Sequence, residues 1–113
     1  MSLPSESPSA NSQLKIHIAA TQSVGLAALP SQLRAAVESL KVSTSLLHTL
    51  GTIEQVSWEE HLKEAKSRAT ALTFSAMVYG DLSHEDWIAL DEHIKDRLTK
   101  RRAECLTALV SEI

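Results

Sequence analysis

The side chains best able to do chemistry here are five histidines, a single cysteine and a run of bases near the C-terminus. His17, His48, His61, His84 and His93 are widely spaced, and no two stand one helical turn apart. The Glu-x-x-His spacing that builds carboxylate-bridged metal sites in helical bundles does not occur. Glu60-His61 and Glu92-His93 are adjacent in sequence, so their side chains diverge on a helix, and Asp81-x-x-His84 spans a turn. No metal site and no cofactor is expected. Cys105 falls among Leu98, Leu106 and Leu109 on an apolar stripe. A thiol there behaves as a small hydrophobe, whereas a nucleophile needs a stabilised thiolate. A glycine-rich phosphate loop, a Gly-x-Ser-x-Gly elbow and a His-Glu-x-x-His helix are all missing from the sequence. A dispersed ligand site around His61, Tyr79, Asp81 and His84 would rest only on polar residues near one turn. The expectation is a protein without catalytic activity of its own.

The bases Lys95, Arg97, Lys100, Arg101 and Arg102 make the case for nucleic acid. At about 100° per residue they spread around the helix instead of forming one stripe. Asp91, Glu92, Asp96 and Glu104 are interleaved with them, which reads as a solvated face with local ion pairs. A helix-turn-helix around 79–83 would present Glu85 and Asp86 to the phosphates. Binding through segment 95–102 is therefore the alternative function, disfavoured against protein binding. Arg101 sits in the apolar stripe between Leu98 and Cys105. Its stem could cover the core edge while the guanidinium snorkels outward, or it could pair with a carboxylate across a helix interface. The first reading is preferred, and Arg101 is kept among the candidate interface residues.

These residues must be positioned by a chain of 113 residues with 43% hydrophobic and 22% charged side chains, ordinary values for one globular domain. A net charge of −3 gives no general attraction to nucleic acid or to an anionic membrane. One cysteine excludes an intrachain disulfide. Neither a membrane span nor a secretory or mitochondrial leader is expected, which leaves cytoplasm or nucleus as the default, with the cytoplasm adopted. Three glycines and three prolines, two of them at positions 4 and 8, suit long helices better than many strands.

The spacing predicts an all-α fold, a small bundle of three to four amphipathic helices with a long C-terminal helix. Residues 1–13, rich in serine, read as a disordered tail, and 14–113 as a single helical domain. A first helix over 14–24 is preferred to a strand formed by alternating Leu14, Ile16 and Ile18. Gly25 and Pro30 then bracket a linker. A second helix over 31–50 carries Leu33, Val37, Leu40, Thr44 and Leu47 on one stripe and stops at Gly51. Residues 52–56 form either a helical turn or a continuation across Gly51. Ser57 and Glu60 have the spacing of a capping box for a third helix over 58–79, with the stripe Trp58, Leu62, Ala65, Ala69, Leu72, Ala76. Ser83 and Asp86 repeat the signal, more weakly, for a fourth helix over 84–111.

The sequence 69–80 has a hydrophobic surplus. Phe74 and Val78 lie opposite Ala69, Leu72 and Ala76, and Met77 fills the side between. Val42, Leu46 and Leu50 broaden the second helix in the same way. Either residues 14–24 fold over this second face, or another molecule does. Fully burying each such side chain is worth about 1.5–3 kcal/mol, so wide exposure is unfavourable. The adopted reading is a protein-interaction module, an adaptor, regulatory subunit or inhibitor that pairs with a protein partner or as a homodimer. Its candidate interface is Val42, Leu46, Leu50, Phe74, Met77, Val78 and Arg101.

Overall fold

A computed structural model describes residues 10–111 as five helices: α1 (Ala10–Ala28), α2 (Ser31–Glu38), α3 (Ser43–Gln55), α4 (Glu59–Val78) and α5 (His84–Ser111). The tail assigned to 1–13 falls largely outside the described residues, and its last four positions are the first turn of α1. The fold is all-α with a long last helix, but five helices replace the expected three to four.

The additional helix comes from a break in the segment 31–50. α2 ends at Glu38, and tight turns follow, with the Leu40 amide donating to the Val37 carbonyl and the Ser43 amide to Leu40. The run Val42-Ser43-Thr44-Ser45 beyond the turn is β-branched or hydroxylic and supports a helix weakly. Breaking here lets two apolar sets meet one core. Leu33, Val37 and Leu40 are buried from the first piece, and Leu46, Leu50 and Ile53 from the second. An unbroken helix would have turned these sets to different sides. Thr44, expected on the stripe, is exposed as a result.

Two glycines read as helix boundaries lie inside helices. α1 runs through Gly25 and α3 through Gly51, where the two helices cross almost backbone to backbone. A Cβ on Gly25 would overlap the Leu47 carbonyl oxygen, and one on Gly51 would overlap the Thr21 carbonyl. The absent side chains allow the approach; the helix tolerates the weaker propensity. Thr21 Oγ1 bonds Gln55 Oε1 at 3.2 Å, and Gln22 Nε2 donates to the Thr44 carbonyl at 3.2 Å across the same contact. α1 packs chiefly on α3, and α3 in turn touches every other helix.

The expected capping box at Ser57 does not form. Val56 and Trp58 are extended, α4 begins at Glu59, and no side chain caps its first turn. Trp58 consequently leaves the predicted stripe and is 71% exposed, while Leu62, Ala65, Ala69 and Ala76 are buried as the spacing requires. The Gly80 turn is a Schellman closure: Asp81 N–H bonds the Ala76 carbonyl, Gly80 N–H bonds Met77, and Gly80 takes φ +80°. Leu82 is buried just beyond it. Ser83 Oγ then accepts the Asp86 amide at 3.1 Å, so the second cap forms as its spacing predicts.

α4 and α5 lie antiparallel, with Phe74 beside Trp87 at one end and Glu59 bonded to Arg102 at the other. The core is filled by α3, by Leu62, Ala65 and Ala69 of α4, and by Leu90, Ile94 and Leu98 of α5. The molecule is a plate of 57 × 46 × 23 Å. Its radius of gyration of 16.5 Å exceeds the roughly 13 Å of a rounded chain this long. The excess has a clear source. The first half of α1 and the last two turns of α5 project with their side chains exposed, Leu14, Ile16, Leu106, Leu109 and Val110 among them.

Candidate interaction surface

The seven candidate interface residues separate into three groups. Leu46 and Leu50 are core residues, with α1 packed along their helix, and Val42 is half-buried against the same core. α1 thus folds over α3, but among the described residues it makes no substantial contact with α4. Phe74 and Val78 remain 52% and 58% exposed on the outer side of α4, and Met77 is half-buried beside them.

Phe74 and Val78 stand one turn apart, so they share a face. Phe74 meets the half-buried indole of Trp87 edge-on, with ring centroids 6.4 Å apart and planes at 63°. The imidazole of His84 also packs near that indole, with ring centroids 5.6 Å apart and planes tilted at 35°. Edge-to-face pairing fixes both rings at the cost of little further freedom, which makes a firm apolar step between α4 and α5. Trp87 escaped the sequence reading as an interface residue because it fits the core stripe of α5. Only the pairing with Phe74 shows that its edge borders the surface.

Arg101 belongs to neither reading proposed from sequence. Its side chain is 13% exposed and points inward. Nε donates to the Ile53 carbonyl at 3.1 Å and Nη2 to the Val56 carbonyl at 2.7 Å, while Nη1 pairs with Glu104 on its own helix. It caps the C-terminus of α3, where carbonyls lack helical partners and positive charge is favoured. The neighbouring bases act alike. Arg97 forks onto Glu54 at 2.6 and 2.8 Å, and this pairing raises the Arg97 pKa above its ordinary value. Arg102 bonds Glu59 at 2.9 Å, Lys95 bonds Asp91 at 2.9 Å, and Lys100 bonds Asp96 at 3.1 Å. All five bases of segment 95–102 are therefore paired within the chain, and three of them clamp the corner between α3 and α4.

The cations of α4 are arranged differently. Lys63, Lys66 and Arg68 have no carboxylate partner within salt-bridge distance among the described residues. Lys63 and Lys66 line a shallow groove with Ser67, Thr70, Ala71, Phe74 and Arg102. Sequence reading missed Lys63 and Lys66; their helical phase, with Lys63 about 20° from Phe74 after eleven residues, is the signal that could have marked this face.

Among the described residues, no three histidine, cysteine or acidic side chains are placed to hold a metal ion. No described helix is long and apolar enough to cross a membrane. No family model matches the chain, and no curated protein or solved structure shows significant similarity to it.

Proposed function

We propose that this chain is a non-enzymatic interaction module that docks another protein through the outer face of α4 and the adjoining start of α5. The observation that carries this reading is the exposed pair Phe74 and Val78 on a regular helix, set against Trp87. Its support is chemical as well as geometric. The α5 bases are paired internally, which leaves segment 95–102 little free charge for phosphates.

Covering the exposed halves of Phe74 and Val78 would yield about 1.5–3 kcal/mol in total. That is below the roughly 4 kcal/mol of even millimolar binding, so further contacts from the partner must contribute. The test places a photo-crosslinking residue at position 74 in the full chain and a control at exposed Gln32. A defined protein or a second copy should attach from position 74 alone, and Val78→Glu should abolish the product while leaving the helix content intact. Equal yields from both positions would refute the reading.

A further inference from the structure

We infer that the segment docked on α4 is acidic: a stretch of a partner protein with an apolar anchor for Phe74 and carboxylates for Lys66 and Lys63. This rests on the docking role proposed above for the same face, and it adds the chemistry of the occupant. Three observations support it. Within the groove, from Phe74 through Ala71 and Ser67 to Lys66 and Lys63, with Arg102 bordering it, no carboxylate among the described residues contributes to the lining. Arg102 is already committed to Glu59, but among the described residues Lys63 and Lys66 are bound to no carboxylate. Finally, the apolar and basic parts lie on one side of a single helix, so one partner segment can engage both.

The dimensions set the length of that segment. Eleven residues of α4 separate Lys63 from Phe74, about 16 Å along the helix axis. This matches about three turns of an incoming helix or about five residues of an extended strand. Broad polyanions fit less well. Glu60 and Glu64 are exposed on the turns flanking Lys63 and would meet the charges of a duplex or an anionic bilayer, and the chain carries −3 overall. A narrow row of carboxylates can follow the groove without reaching them.

The experiment titrates the full chain with a synthetic amphipathic peptide of leucine and glutamate, and with its counterpart in which every glutamate is glutamine. Amide shifts at 63–78 and the indole signal of Trp87 report the site. Two surface ion pairs together should give the acidic peptide roughly a 2- to 30-fold advantage at low salt. The advantage should disappear in 0.5 M salt, on the order of a 4 Å screening length, and in the Lys63→Glu/Lys66→Glu variant. Equal affinity of the two peptides, both lost in Phe74→Glu, would overturn the acidic occupant and leave the docking role standing. Absence of shifts at 63–78 with either peptide also counts against the inference, and the crosslink at position 74 then decides the docking role separately. Preference for phosphatidylserine vesicles or duplex DNA over the acidic peptide would overturn it as well.

Discussion

Replacing Arg101 with methionine keeps an apolar stem of similar reach and removes the guanidinium, which isolates what the fork contributes. The lost bonds are to the Ile53 and Val56 carbonyls, at 3.1 and 2.7 Å, from a side chain only 13% exposed. A hydrogen bond from a charged donor contributes about 1.5–3 kcal/mol, and an interior carbonyl left bare costs about 1–3 kcal/mol. Water can partly replace the guanidinium at Val56, which is half-buried, but Ile53 lies in the core. The contact to Glu104 adds little, because that carboxylate is more than half exposed. The expected loss is therefore about 2–4 kcal/mol, or about 8–16 °C in Tm for a domain this size. Urea denaturation followed by far-UV circular dichroism measures it. Arg101→Lys should recover the charge near the end of α3 but not the fork, and fall between the two. Hydrogen exchange should rise first at the start of α4, which the extended link 56–58 joins to the capped end of α3. An Arg101→Met protein within about 0.5 kcal/mol of the parent would refute this account of the basic segment.

Gly51→Ala should destabilise despite the roughly 1 kcal/mol that alanine gains in an ordinary helix, because the new Cβ would overlap the Thr21 carbonyl. Overpacking of this kind costs about 1–3 kcal/mol or more, and limited proteolysis should then cut α1 before the other helices; a more stable variant would show that α1 does not cross there. His93 gives a pH dependence: burial, the largest cause, lowers its pKa below the ordinary 6.5, against an opposing pull from Glu54, while Arg97 and Lys100 lower it and Asp96 raises it. The unfolded chain then binds the proton first, so this contribution to stability is complete above pH 6.5 and declines as pH falls through the folded pKa. His93→Gln should flatten the fall in urea midpoint between pH 7 and 5, and an unchanged slope would place the dependence elsewhere. Gly80→Ala should cost about 1 kcal/mol through its positive φ alone, since no neighbour lies near its Cβ, and thermal melting tests this.

The helix ends on either side of the Gly80–Ser83 turn were legible because groups close in sequence govern them, whereas the equally local Ser57–Glu60 box does not form. Ser83 supplies its own acceptor for the Asp86 amide, Gly80 adopts the left-handed turn, and α5 spans the expected residues 84–111. Phase also placed Phe74 and Val78 opposite the small residues Ala69 and Ala76, but it left open whether residues 14–24 would cover them; their exposure follows from α1 packing on α3. The same phase argument misjudged Leu46 and Leu50, whose broad apolar half is covered by α1.

Sequence by itself determined that the chain forms amphipathic helices, where the last of them begins, and which face of α4 carries its surplus. Tertiary structure alone decided that Gly25 and Gly51 are points of close helix contact, that α2 and α3 separate, and that Arg97, Arg101 and Arg102 serve the fold. The physical reason is one of range. A glycine or an arginine looks the same in sequence whether it makes a turn, meets solvent or meets another helix. Which of these it does depends on backbone that arrives from tens of residues away.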